Sequence, residues 1–275
     1  MQATANALNA QVTGTGDALV LIHGFGSDQN VWVDYVPWLA RRYRVITYDL
    51  PFAGATAPGF FDARRHTNPD GHVQDLVDVL RSFDVQNCSV IGHSMGGLIG
   101  LLAAVDHPAI FRKLILIGTS ARYLDDTGYH GGLDTAALEA LFEALATNFR
   151  TWAESAVPAL VGRPSSDPAS QTFLDSLLRT RPDTALAMVR PLLLGDYREA
   201  LTACRVPTAI LQTEDDPFVP IEAALVLQQC LKGSSLDILK ASGHLPHLSA
   251  PEEVRAALSR HLPRLQDSET VSCRG

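Results

Sequence analysis

The sequence predicts an α/β fold in which a doubly wound, mostly parallel sheet carries a block of helices inserted late in the chain. Three observations predict it. Short runs of apolar, β-branched residues recur without polar alternation, as strands buried on both faces require. Stretches of helical periodicity separate them, giving the βαβα order that builds a parallel sheet. One interval, about ninety residues between 118 and 208, is too long for a single crossover helix.

In chain order the predicted strands are 18–22, 44–48, 88–91, 114–117, 208–212 and 236–239. Helical spacing is clearest over 72–83, where Val73, Leu76, Val77, Leu80 and Phe83 share a face, and over 95–105 and 222–231. The long interval reads as helices at about 134–148, 150–157, 168–179 and 183–194, broken by Pro158, Gly162, Pro164 and Pro182. Leu138, Leu141, Phe142 and Leu145 make the first of these apolar over more than a narrow stripe, as a helix covering something would be. A helical lid over the strand ends is the favoured reading, since open α/β sheets bind ligands there; an insertion packed elsewhere is the alternative. The expected division is a core of 1–120 and 196–265, a lid of 121–195 and a flexible tail of 266–275.

Composition narrows the function classes. A chain of 275 residues, 46% hydrophobic and 19% charged, buries roughly 75% of its extended surface and needs no disulfide or metal to hold it. A net charge of −8 with no cluster of Lys and Arg argues against a nucleic-acid partner and makes a monomer the default. The opening MQATANALNAQ has no signal-peptide pattern, and the longest apolar stretch, 96–105, is far below the roughly 20 residues of a membrane span. A cytoplasmic protein is expected. Cys88, Cys204, Cys230 and Cys273 are scattered without a metal-binding pattern, as reduced thiols are.

The chemistry-bearing motifs follow the strands. Gly92-His93-Ser94-Met95-Gly96 sits between a strand and a helix, where flanking glycines permit a sharp turn that exposes the serine oxygen at the helix N-terminus. Ser94 is the predicted nucleophile, and His93, inside the turn, is read as a packing residue. Attack on a carbonyl creates an oxyanion, which needs amide donors in place. His23-Gly24-Phe25-Gly26 after the first strong strand supplies them, so the donors should be the amides of Phe25 and Met95, with His23 bracing the loop. The general base should follow the last strand, where two histidines compete; His244, directly after Gly243, is favoured over His247. Glu214, Asp215 and Asp216 adjoin after the preceding strand, and Asp216, in a D-x-x-V-P turn, is preferred to Asp215 as the acid that orients the imidazole. The order Ser, Asp, His is that of the α/β-hydrolase fold. A serine where an aspartate would be required argues against epoxide-hydrolase or haloalkane-dehalogenase chemistry.

HGFGSDQNVW (23–32), RYRVITYDL (42–50), FRKLILIG (111–118), RYLDDTGYHGG (122–132), RPDTAL (181–186) and GHLPHLSAP (243–251) resemble the strigolactone and karrikin receptor hydrolases of plants and their bacterial relative RsbQ. The resemblance spans about 8–262. It implies Ser94, Asp216 and His244 as the triad, Phe25 and Met95 as oxyanion donors, a four-helix lid and no cofactor. It also implies an apolar pocket at Phe25, Tyr123, Trp152, Ala156 and Phe218. GHSMGG departs from the GHSV of those relatives and has the form common among ordinary hydrolases, which favours a plain enzyme; Ala156 stands where the plant strigolactone receptors place a phenylalanine, so a differently shaped pocket is expected. The implied function is hydrolysis of a small apolar ester or lactone of butenolide type. The alternative is a slowly hydrolysing ligand sensor that signals to a protein partner.

Overall fold

The computed structural model describes residues 1–262. The expected tail at 266–275, with Cys273, lies outside the described residues, as does the end of the expected core segment. Seven strands make one sheet: β1 (Gln11–Thr13), β2 (Asp17–Ile22), β3 (Tyr43–Thr47), β4 (Cys88–His93), β5 (Phe111–Ile117), β6 (Thr208–Asp215) and β7 (Ser235–Ser242). Their order is β1-β3-β2-β4-β5-β6-β7, and only the β1–β3 pair is antiparallel. The six predicted strands are present, five of them extended by one to four residues and the one expected at 44–48 shifted to 43–47. β1 carries no apolar signal because all three of its residues are exposed.

Side chains alternate between two cores. Val90 and Leu114 face one side of the sheet with Leu76, Leu80 and Leu98; Ile91 and Ile115 face the other with Leu19, Trp32 and Leu258. That period of two explains why β4 and β5 read as continuous apolar runs: both faces are covered.

Numbering only helices of ten or more residues, α1 is Pro69–Ser82, α2 Met95–Asp106, α3 Thr135–Thr147, α4 Phe149–Val161, α5 Pro168–Arg179, α6 Pro182–Leu194, α7 Ile221–Cys230 and α8 Pro251–His261. The insertion between β5 and β6 holds α3 to α6. Its helices start where side chains and prolines dictate: Asp134 and Asp167 accept hydrogen bonds from the Ala137 and Ala169 amides at 2.7 and 2.8 Å, and Pro168 and Pro182 open α5 and α6. Gly162, at φ +70°, ends α4.

One expected break is absent. Pro158 lies inside α4, which runs to Val161. The carbonyl that the proline deprives of an amide partner belongs to Glu154, an exposed residue, so water can take that bond and the helix continues.

The inserted helices turn Leu138, Leu145, Ala153, Val157, Phe173, Leu177 and Leu192 into the main core. Polar ties hold them to the sheet domain. Arg179 at the end of α5 pairs with buried Asp28 at 2.5 Å, and the Arg163 guanidinium donates to the Ser249 carbonyl at 2.5 and 3.2 Å. Among the described residues no helix is long and apolar enough to cross a membrane.

The chain leaves β2 toward β3 on one side and returns to β4 on the other. The strand order therefore reverses between β2 and β4, which opens a crevice at their carboxyl ends. Loop 23–26 and Ser94 stand at that point.

Candidate active site

Ser94 occupies the turn between β4 and α2 with φ +49° and ψ −116°, a region that side-chain-bearing residues rarely enter. The neighbouring glycines exist because the turn is crowded. A Cβ on Gly92 would stand 2.5 Å from the Gly97 Cα, and one on Gly96 would stand 2.5 Å from the carbonyl oxygens of Ile22 and His23. The strained turn is held from below by the Ser94 amide, which donates to the Ile117 carbonyl at 2.8 Å.

Ser94, His244 and Asp216 meet although 150 residues separate the first two. His244 Nε2 lies 2.9 Å from Ser94 Oγ, and its Nδ1 lies 2.8 Å from Asp216 Oδ2. A carboxylate can only accept, so Nδ1 carries the proton, Nε2 is a bare acceptor, and the Ser94 hydroxyl donates to it. Gly243, at φ +91°, turns β7 into the histidine loop, and its amide donates to the Asp215 carbonyl at 2.7 Å. His244's own amide donates to the Leu160 carbonyl of α4 at 2.6 Å.

The structure separates the three adjacent carboxylates. Glu214 and Asp215 are exposed at the end of β6, whereas the Asp216 side chain is 1% exposed. Asp216 Oδ1 accepts the Phe218 and Val219 amides at 2.8 and 3.0 Å, and Oδ2 accepts both His244 and Gln212 Nε2, the latter at 3.1 Å. Burial pushes its pKa up, but the His244 ring and the two amides outweigh it and hold the carboxyl below its ordinary range. Gln212 was not singled out in the sequence. It follows the apolar Ala209–Leu211 of β6 and is fully buried, and its Nε2 also donates to the Val219 carbonyl at 2.9 Å.

The loop after β2 places two further groups. His23 Nδ1 donates to the Gly24 carbonyl at 2.8 Å, and its Nε2 accepts the Leu50 amide at 2.9 Å, which fixes both the tautomer and the loop. The amides of Phe25 and Met95 donate to no protein acceptor among the described residues, which leaves them free for a ligand oxygen. His247 is buried under Trp32, with ring centroids 4.8 Å apart, and burial lowers its pKa to about 3. It does not touch Ser94. No group of His, Cys, Asp and Glu among the described residues is disposed to hold a metal ion.

A cavity of about 230 Å³ opens above Ser94 and His244. Phe25, Trp152, Ala156 and Phe218 line it, with Leu141, Phe173 and Leu192 of the inserted helices closing the apolar wall. Its volume falls under the roughly 300–1,000 Å³ of drug-sized pockets, so a compact apolar ligand fits. Tyr123, expected at or beside the pocket, is fully buried behind Phe218, with ring centroids 5.4 Å apart, and stands beside the cavity rather than in its wall.

Known proteins share this arrangement of chain. The sequence profile of the alpha/beta hydrolase family matches residues 19–257. A strigolactone esterase of Arabidopsis thaliana is 41% identical over 261 residues, covering 94% of this chain and 97% of that one. A karrikin insensitive 2 receptor of Petunia hybrida is 36% identical over 256 residues, covering 92% and 95%. Among solved structures, a hydrolase from Oleispira antarctica superimposes with a TM-score of 0.90 at 25% identity, covering 94% and 96%. The chain is a hydrolase that belongs to the alpha/beta hydrolase family, in the branch that holds the strigolactone esterases and karrikin receptors.

Proposed function

We propose that the chain hydrolyses a small apolar ester or lactone of butenolide type through Ser94, His244 and Asp216. The hydrogen-bonded line Asp216–His244–Ser94, opening into an apolar cavity, is the observation that carries this reading. His244 Nε2 takes the Ser94 proton as Oγ attacks the carbonyl carbon, and the amides of Phe25 and Met95 receive the oxyanion. The imidazolium then returns the proton to the leaving alcohol oxygen, and an ester on Ser94 remains. Water, deprotonated by the same nitrogen, attacks that ester; the acid departs and Ser94 regains its proton. With a lactone the alcohol and the acid leave as one molecule. Asp216 keeps the Nδ1–H tautomer and stabilises the imidazolium. Helices α3 to α6 act as a lid that supplies the apolar wall.

The substrate class rests on the cavity and on the relatives. Besides Ser94, His244 and His93 the wall is leucine, valine, alanine, phenylalanine and tryptophan, with no charged side chain, so a charged substrate would lose hydration without replacement, and two relatives bear the name strigolactone esterase. A second reading, a sensor whose slow hydrolysis drives contact with a protein partner, is favoured by the relatives named as receptors.

Hydrolysis of a fluorogenic butenolide ether and of p-nitrophenyl acetate, by the wild type and Ser94→Ala, tests both. Multiple turnovers on the order of 1–10³ s⁻¹, lost in the variant, support an ester hydrolase. A single turnover that leaves a stable adduct supports the sensor. Activity surviving in Ser94→Ala excludes the mechanism.

A further inference from the structure

We infer that His93 is a positioning residue for this reaction, its imidazole holding the Ser94 turn, the His244 loop and the Phe25 loop in one register. The inference rests on the Ser94–His244 mechanism above. Its sequence neighbourhood suggests packing alone, but three contacts say more.

His93 Nε2 lies 2.8 Å from the main-chain carbonyl oxygen of His244. A carbonyl only accepts, so Nε2 carries the ring proton and Nδ1 is bare. Nδ1 has no hydrogen-bond partner and faces Gly24 of the oxyanion loop, where a Cβ would stand 2.5 Å from it. The third contact is covalent: His93 is the last residue of β4 and is joined directly to Ser94. One 2% exposed ring therefore touches all three segments that carry the reacting groups.

Its donor state is constant. Burial, and then the neighbouring His247, His244 and His23 rings, press its pKa well below the usual histidine value, and the His244 carbonyl opposes them without prevailing. The ring stays neutral, with a single N–H, across the working pH range. The rings of His244 and His247 stand 5.0 and 4.4 Å away. The His244 backbone has one other direct anchor, its amide to the Leu160 carbonyl of the inserted α4. On its N-terminal side the loop is also tied to β6 through Gly243, whose carbonyl accepts from Thr213 Oγ1 at 2.8 Å and whose amide donates to the Asp215 carbonyl at 2.7 Å. Without the His93 donor the His244 carbonyl, on the far side of the base, would lose its tie to the sheet. The His244 Nε2 would then drift relative to Ser94 Oγ, and a displacement of about 1 Å can cost on the order of 100-fold in rate.

His93→Leu, His93→Asn and His93→Gln test this. Glutamine can bring an amide N–H to the place of Nε2, asparagine is one methylene short, and leucine has no donor. We expect kcat on p-nitrophenyl acetate to fall about 10- to 100-fold in the Leu and Asn variants, with KM little changed, and to recover for the most part in Gln. The far-downfield proton resonance of His244 Nδ1–H should broaden in Leu and Asn and persist in Gln. Wild-type kcat in His93→Leu overturns the inference, as does a loss that follows Tm across all three variants without recovery in Gln. Should the Leu variant fail to fold, the Asn and Gln pair, alike in polarity, decides. Ser94→Ala, assayed alongside, separates the two readings: activity surviving there removes the triad itself, whereas an inactive Ser94→Ala with an unaffected His93→Asn removes only the role of His93.

Discussion

Replacing Asp216 by asparagine should nearly abolish turnover while leaving the fold in place. The carboxylate accepts four hydrogen bonds, two at each oxygen: the Phe218 and Val219 amides at Oδ1, His244 and Gln212 at Oδ2. An amide has one oxygen, so it satisfies only one pair. With its oxygen toward the two backbone amides, its NH₂ confronts His244 and the Gln212 NH₂. The imidazole then escapes by moving its proton to Nε2, where it can no longer accept the Ser94 proton. The opposite orientation aims the NH₂ at two backbone N–H groups that cannot turn away. The first orientation preserves structure and disables the base. In other Ser-His-Asp enzymes that change costs about 10⁴-fold in kcat, which corresponds to about 5.5 kcal/mol of transition-state stabilisation. Steady-state hydrolysis of p-nitrophenyl acetate measures kcat and KM, and thermal denaturation monitors the fold. A folded Asp216→Asn enzyme retaining a tenth or more of wild-type kcat would refute the reasoning, most sharply if Asp215→Asn were the inactive one.

Further outcomes follow from the packing. Arg179→Met leaves Asp28 buried without its charge partner and should lower stability by about 1–3 kcal/mol, seen as a Tm lower by roughly 2–12 °C. Burial raises the Asp28 pKa, but the Asn30 amide and Arg179 outweigh it, so the folded-state pKa is depressed. The stability it contributes is complete at neutral pH and lost as pH falls through the folded pKa; the gap between wild type and Arg179→Met should therefore close below about pH 4 in pH-dependent denaturation. Gly92→Ala places a methyl group against the Gly97 Cα and N and the Gly96 carbonyl, backbone atoms that cannot swing aside, and should cost about 1–3 kcal/mol in urea titrations. Ala156→Phe puts a ring into the cavity wall; KM for a bulky ester should rise roughly 5- to 150-fold, with little change for p-nitrophenyl acetate.

Sequence and structure agree where burial is two-sided. β2 to β6 are legible because strands buried along most of their length read as apolar runs; β7, half-exposed at the sheet edge, is legible only from Leu236, Ile238 and Leu239, and β1, exposed at all three residues and held by pairing with β3, leaves no pattern. The helices of the insertion are legible from their capping aspartates and leading prolines, and Pro158 misleads because α4 continues through it, the carbonyl it frees belonging to an exposed residue. Ser94 and His244 are singled out by the glycines beside them, and those glycines have steric reasons in the structure: the crowding at Gly92 and Gly96, the positive φ at Gly243. Asp216 is harder to read among three carboxylates. What separates it from Asp215 is the turn in which its own Oδ1 accepts the amides two and three residues on. Gln212 acts locally, on Asp216 four positions on, whereas His93 acts across the fold on a residue 151 positions away, and no local spacing announces that contact.

A covalent ester on Ser94 is the step on which the mechanism turns, and rapid acid quench during turnover of p-nitrophenyl acetate, followed by proteolysis and peptide mass mapping, tests it most directly. The account predicts a transient acetyl adduct on the peptide that contains Ser94, formed at the rate of the p-nitrophenol burst and missing in Ser94→Ala. An adduct on a different residue, or hydrolysis that continues in Ser94→Ala with no adduct at all, would contradict it.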